Sequence, residues 1–171
     1  MNVLSKDFWD CEFFKYRKED LDRFGFIEET KALLLAHGLP KNHSIFDKRG
    51  IQFFDCADFA QVVFNKEEFI RIGQSRGAFI SIQKRTQEVY AIPESGLSNG
   101  GFINSNIKWF LLFHQLFYAE LGKVDNIDDD KQCERFGNML RREFEKMDPC
   151  AMLDKESTWS RIVEEYENGV V

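Results

Sequence analysis

The sequence predicts one α+β domain, with a helical start, a β-rich middle and a helical end. Three observations carry that reading. Short runs of apolar, often alternating residues gather between positions 51 and 92. Stretches of helical periodicity, bounded by caps and stops, lie on either side of them. Between the two classes, Thr86-Gln87-Glu88-Val89-Tyr90-Ala91-Ile92 leads to Gly101-Phe102-Ile103-Asn104-Ser105-Asn106-Ile107-Lys108-Trp109-Phe110, which reads as strand, Gly-rich turn, extended step and capped apolar helix. A chain of 171 residues is most simply one domain, so the expected unit is 1–171. That length buries enough apolar surface to fold without disulfides or metals.

Ser5 is expected to cap a first helix carrying Phe8, Trp9, Phe13 and Tyr16 near 3.6-residue spacing. A second helix begins at Glu28 and Glu29, whose charges suit the positive end of a helix, and carries Leu33, Leu34 and Leu35. Gly38 closes it as a C-cap and Pro40 prevents its return. In the middle, 51–54 and 69–73 are expected strands, and 73–77 reads as the connection to the next one. Residues 78–83 and 88–92 form an antiparallel hairpin around the polar loop Lys84-Arg85-Thr86-Gln87, with Pro93 ending the pairing.

Phe102-Ile103 adds a short strand, and Asn104 or Ser105 is expected to cap the following helix. That helix bears Ile107, Phe110, Leu111, Phe113, His114, Phe117 and Leu121 over much of its girth, so it should be buried. A next helix opens at Asp128-Asp129-Asp130, carries Cys133, Phe136, Leu140, Phe144 and Met147 on one stripe, and stops at Asp148-Pro149. Ser157 caps a last helix with Trp159, Ile162, Val163 and Tyr166, ended by Gly169. The 18 Phe residues chiefly fill the core, with a few left for an interface.

A formal charge of −6 argues against a nucleic-acid footprint and favours a basic partner. No apolar run is long enough to span a bilayer, and the opening residues lack a signal-peptide pattern, so a cytoplasmic protein is expected. Cys11, Cys56, Cys133 and Cys150 are widely spaced with no C-x-x-C pair, which fits reduced, packed thiols better than zinc.

The motifs with a catalytic pattern fail on context. Gly96-Leu97-Ser98-Asn99-Gly100 matches the nucleophile-elbow string, but an elbow needs a strand directly before Ser98 and a helix directly after it. The one downstream histidine, His114, also precedes Asp125, against the Ser, Asp, His order. His37 falls at a helix end, His43 in a polar loop and His114 in the apolar helix, none with a partner at metal spacing. The run from Asp125 to Asp130 lacks the Gly and Glu of a calcium loop. No Gly-rich segment ends in the Lys-Ser/Thr of a P-loop. Neither a catalytic residue, a cofactor nor a metal ligand is therefore assigned.

Three pieces carry a family resemblance. The first is 29–40, a helix ending in Gly38-Leu39-Pro40. The second is Phe69-Ile70-Arg71-Ile72-Gly73, a strand pair, then Phe102-Ile103-Asn104-Ser105-Asn106 before a Phe-rich helix. The third is Met147-Asp148-Pro149-Cys150-Ala151-Met152, then Trp159 and Glu164-Glu165-Tyr166-Glu167 with Gly169. In this order and spacing, from Ile27 to Gly169, the chain resembles the SUKH superfamily of bacterial immunity proteins, and its fourth subfamily most. Asn106 departs from the family's usual Asn-Ser-Ser.

The resemblance implies a single domain with a mainly antiparallel sheet packed against several helices. It also implies a non-enzymatic antidote that binds a polymorphic or contact-delivered toxin, often a nuclease or deaminase, and occludes its active site or substrate groove. The acidic balance adds the candidate contacts Asp125, Asp128, Asp129, Asp130, Glu164, Glu165 and Glu167 toward a basic toxin. A general interaction or regulatory module of the same fold, or a small-ligand binder, are the alternatives. Neither nucleic acid nor membrane is an expected partner.

Overall fold

The computed structural model describes residues 8, 9, 11–41, 51–96, 100–127 and 129–170. Five α-helices and six strands follow one another along them: α1 (Lys18–Asp22), α2 (Glu28–Ala36), β1 (Gln52–Phe53), β2 (Ala60–Phe64), β3 (Glu67–Ser75), β4 (Ala78–Gln83), β5 (Val89–Pro93), β6 (Gly101–Asn104), α3 (Ile107–Leu121), α4 (Asp130–Met147) and α5 (Thr158–Glu167). The α+β class and the antiparallel sheet are as expected from the sequence.

The strands pair antiparallel in the order β1-β3-β4-β5-β6, and β2 joins the same edge of the path by pairing with β3. The predicted hairpin is β4–β5, with Ile82 opposite Val89 and the loop 84–87 closed by Gln83 and Glu88. Pro93 is the last paired residue, opposite Ala78. Two details correct the sequence reading. Residues 73–75 continue β3, so that only Arg76 and Gly77 turn the chain, Gly77 taking φ 75°. β2 was not expected at all; it is joined to β3 by Asn65 and Lys66, both at positive φ (49° and 70°), the two-residue hairpin turn whose twist suits the strands.

The N-terminal segment also departs from expectation. Ser5 lies outside the described residues, and from Phe8 to Arg17 the described chain is not helical. Phe13 instead forms an antiparallel bridge with Pro40. The Phe14 N–H donates to the Leu39 carbonyl (2.9 Å) and the Lys41 N–H to the Glu12 carbonyl (2.8 Å). A non-local partner thus satisfies this backbone as a helix would have done locally. Trp9 Nε1 donates to Gln115 Oε1 (3.0 Å) and the Tyr16 hydroxyl to the Phe54 carbonyl (3.0 Å), tying the segment to α3 and to the end of β1. The helix that does form, α1, starts only at Lys18.

All five helices bury their apolar sides in one core: Leu21 from α1, Leu34 from α2, Phe110 and Leu111 from α3, Phe144 from α4 and Trp159 from α5. The sheet meets them with Ile70, Ile72, Ile80, Ile82, Val89 and Ile103. α3 is the centre, buried continuously from Phe110 to Phe117. Its rings interlock with the C-terminal helices: Phe113 stacks on Phe144 at 3.9 Å, Phe117 meets Phe136 edge-on at 5.6 Å, and Trp159 meets Phe113 at 5.3 Å. His114, within this surface, donates from Nδ1 to the Phe110 carbonyl (2.8 Å), as suits a buried, hydrogen-bonded imidazole.

The predicted stripe of α4 packs inward, and Gly137 on it lets α5 approach closely. A Cβ there would lie 2.7 Å from the Glu167 nitrogen and 3.1 Å from the Val163 carbonyl oxygen. Gly137→Ala gains helix propensity but forces the two backbones apart. We expect a net loss of about 1–2 kcal/mol in urea unfolding, the overpacking term outweighing the propensity gain. Unchanged stability would place the helices farther apart than described.

Candidate functional site

Two of the three stretches that carried the family resemblance, the second and the third, meet at one junction. β6 ends at Asn104, which is fully buried, and the chain turns through Ser105 into α3. The cap of α3 is neither Asn104 nor Ser105, as expected, but Asn106, whose Oδ1 accepts from the Trp109 N–H (3.0 Å). Asn106 is the residue that departs from the family pattern, and asparagine is as good an N-cap as the serine it replaces.

Asn104 and Ser105 are occupied elsewhere. Asp148, 2% exposed, reaches them from the end of α4. Its Oδ2 accepts from Asn104 Nδ2 (3.1 Å) and from the Ser105 N–H (2.8 Å). Its Oδ1 accepts from the Ser105 hydroxyl (2.5 Å). Asn104 Oδ1 in turn accepts from Trp159 Nε1 of α5 (2.9 Å). Three donors converge on one buried carboxylate, which is how a charge is held away from water. The arrangement fastens the sheet to the C-terminal helices.

Local structure presents these groups. The Asp148 N–H still donates to the Phe144 carbonyl of α4 (2.8 Å), while Pro149, lacking an N–H, starts a 3-10 turn, Pro149–Met152. Ser157 caps α5 as predicted, accepting from the Ser160 N–H (3.3 Å), and donates to the Ala151 carbonyl (2.7 Å). Trp159 is thereby set beneath Asn104.

The acidic candidates divide by environment. Asp129 is the N-cap of α4, accepting from the Lys131 N–H (3.0 Å) and the Gln132 N–H (3.2 Å). The Gln132 side chain, then those backbone donors, hold its carboxyl below the usual range. Glu167 is engaged by Arg141 across the α4–α5 contact, with two bonds of 2.6 Å. These two carboxylates have structural work. Asp125, Asp130, Glu164 and Glu165 are exposed and make no ion pair among the described residues. Asp130 lies beside Gly169, so the start of α4 and the end of α5 are neighbours and three of these carboxylates share one region of the helical layer. Asp128 lies outside the described residues.

The structure offers several concavities. One of about 470 Å³ runs between the N-terminal segment and the end of α2, with Trp9, Phe13, Tyr16, Lys15 and His37 on its walls. Another of about 370 Å³ opens at the start of α3, beside Glu29, Gln87, Lys108 and Trp109. Among the described residues no group of three or more His, Cys, Asp or Glu is placed to hold a metal ion. The four cysteines are free, and burial, with Asp20 nearby, pushes the Cys56 thiol up, away from thiolate. Ser98 and His43 lie outside the described residues. No described helix is long and apolar enough to cross a membrane.

The sequence reading named Asn104, Ser105, Asp148 and Trp159 but not their contact. Their recurrence as separate motifs was the available signal; the chain separation of 44 residues between Asn104 and Asp148 hid the bond.

Of the comparisons with known proteins, one finds a family. The model of the SUKH-4 immunity protein family matches residues 11–165, which takes in all three stretches but for the last residues of the third. No curated protein and no solved structure matches the chain.

Proposed function

The chain belongs to the SUKH-4 immunity protein family, and from that premise we propose that it neutralises a cognate toxin by stoichiometric binding in the cytoplasm. The toxin acts on nucleic acid, as a nuclease or a deaminase, and the bound protein covers its active site or substrate groove. The family match over residues 11–165 is the observation that carries this reading. The charge of −6 supports a basic partner, since a nucleic-acid enzyme presents a cationic groove and complementary charge speeds encounter. Of the candidate contacts, Asp125, Asp130, Glu164 and Glu165 are exposed and available for that steering; Asp128 is assigned with them from its place in the sequence. Asp129 and Glu167 contribute their charge to the same field while keeping their structural bonds.

The test is co-expression with the toxin domain encoded beside this chain's gene. Cells should survive, and purified toxin activity should fall linearly to an end point at an equimolar ratio. Neutralisation by far less than one equivalent would indicate catalytic inactivation and sink the binding mechanism. The association rate should fall steeply with added salt, and more weakly in a variant combining Asp130→Asn, Glu164→Gln and Glu165→Gln. A salt-independent rate would remove the acidic residues from the encounter.

A further inference from the structure

The helices cover one face of the sheet; the other carries a row of rings. Register places Val62, Phe69, Arg71, Phe79, Ser81, Tyr90, Ile92 and Phe102 on alternate positions from the isoleucines of the core. Phe64 meets Phe69 at 6.4 Å, Phe69 meets Tyr90 at 5.4 Å and Tyr90 meets Phe102 at 5.7 Å, each edge-on, so aromatic contacts run from β2 to β6. The rings at Phe64, Phe79, Tyr90 and Phe102 remain half-buried, while Phe69 and Ile92 are buried but stand outside the main core. Tyr90 is held by its hydroxyl, which donates to Glu88 Oε2 (3.0 Å). A contiguous, partly exposed apolar sheet face of this kind marks an interaction surface.

Arg71 sits in the middle of it. Its guanidinium lies 4.5 Å from the centre of the Phe79 ring and 5.6 Å from that of Phe54. It makes no ion pair among the described residues, and its Nε is buried without a hydrogen-bond partner. Ser81, directly opposite it in register and fully buried, has a hydroxyl that is likewise without a partner. Buried polar groups are rarely left unmet, so the chain's own side chains do not complete the surroundings of Arg71. A guanidinium fixed between rings presents its fork to a carboxylate.

We propose that this face is the toxin-docking surface, and that it receives a segment of the toxin in which an Asp or Glu, flanked by apolar side chains, pairs with Arg71. The proposal rests on the reading of the chain as a toxin-binding immunity protein. It divides the labour between two surfaces. The carboxylates of the helical layer act at a distance and set the rate of encounter, whereas Arg71 and the rings act on contact and set the rate of release. An isolated carboxylic acid would satisfy Arg71 but leave the aromatic row uncovered, so the complement is a protein surface.

The experiment uses the full chain and the toxin domain it is tested against for survival. Calorimetric titration of wild type, Arg71→Glu and Arg71→Met is compared, with circular dichroism melts of each. Arg71→Met keeps the unbranched apolar stem and removes the guanidinium, so it reports on the loss of charge even where Arg71→Glu disturbs the fold. We expect Arg71→Glu to weaken binding by about 30-fold or more. Arg71→Met should also lose affinity, mainly through faster dissociation. An Asp or Glu→Lys reversal on the toxin should restore binding to Arg71→Glu and not to wild type, which a merely structural role for Arg71 would not produce. Wild-type rescue with both Arg71 variants binding as wild type would overturn the docking surface and leave the immunity reading standing. Failure of wild type to bind would remove both. A sedimenting dimer of the chain alone, broken by Arg71→Glu while toxin binding persists, would assign the face to a second copy and overturn the proposal.

Discussion

Asp148→Ala should lower the stability of the protein by about 3 kcal/mol, a large share of what a domain of this size possesses. The substitution removes the acceptor of three bonds at a site where Asp148 is 2% exposed and Asn104 fully buried. It leaves the Asn104 amide and the Ser105 N–H without partners, and bonds to a charged acceptor are worth about 1.5–3 kcal/mol each when lost. The Ser105 hydroxyl can rotate toward the half-exposed side, so the three losses do not simply add. Asp148→Asn separates geometry from charge. Its oxygen can take the place of Oδ2, accepting from Asn104 and Ser105, while its amide donates to the Ser105 oxygen. Every group then keeps a partner, and the expected loss is only about 1 kcal/mol. Urea unfolding with an unchanged slope is the measurement. If alanine and asparagine were equally mild, the junction would not be what holds β6 to α4 and α5.

That junction also shows what a sequence reveals and what it hides. Signals whose cause is local were legible. The Gly38-Leu39-Pro40 stop, the Ser157 cap, the hairpin around 84–87 and the stripe of α4 each follow from residues within a few positions of one another. The errors have non-local causes. Asn104, Ser105 and Asn106 are all competent caps, and only the demands of Asp148 and Trp159 on the first two leave the third for α3. The Phe8-to-Tyr16 pattern suits a helix until the 39–41 strand-like partner is known. β2 lacked the Gly that usually advertises a hairpin turn, though Asn65 was a permissible first residue for it. The candidate site divides likewise. Charge could be read from the sequence, but not that Glu167 is committed to Arg141 across a helix pair. Nor could alternation alone say which face of the sheet Arg71 would take, because the register of β3 shifts between Arg71 and Gly73.

Gly38→Ala should be the most damaging glycine-to-alanine change among the described residues. Two separate terms act there. Gly38 has φ 74°, a conformation that costs an L-residue about 1 kcal/mol or more. A Cβ would also stand 1.9 Å from the Phe14 carbonyl oxygen, and that atom belongs to backbone, so it cannot turn aside as a side chain would. Relief requires the N-terminal segment to separate from the 38–41 turn, breaking the bonds from the Phe14 N–H to Leu39 and from the Lys41 N–H to Glu12. Trp9 and Tyr16, buried at either end of that segment, would be drawn out with it. Gly77 supplies the control. Its φ of 75° is nearly the same, but a Cβ there meets nothing within 4 Å. Gly77→Ala therefore reports the conformational term alone, about 1 kcal/mol. Gly38→Ala should exceed it by at least about 2 kcal/mol, within the range of severe core substitutions. Limited proteolysis should then cut Gly38→Ala, and not Gly77→Ala, between residues 11 and 17 while β3 to β5 stay protected. Equal losses at the two glycines would mean that the N-terminal segment is not packed against the turn, and that the fold's stability begins only at α1.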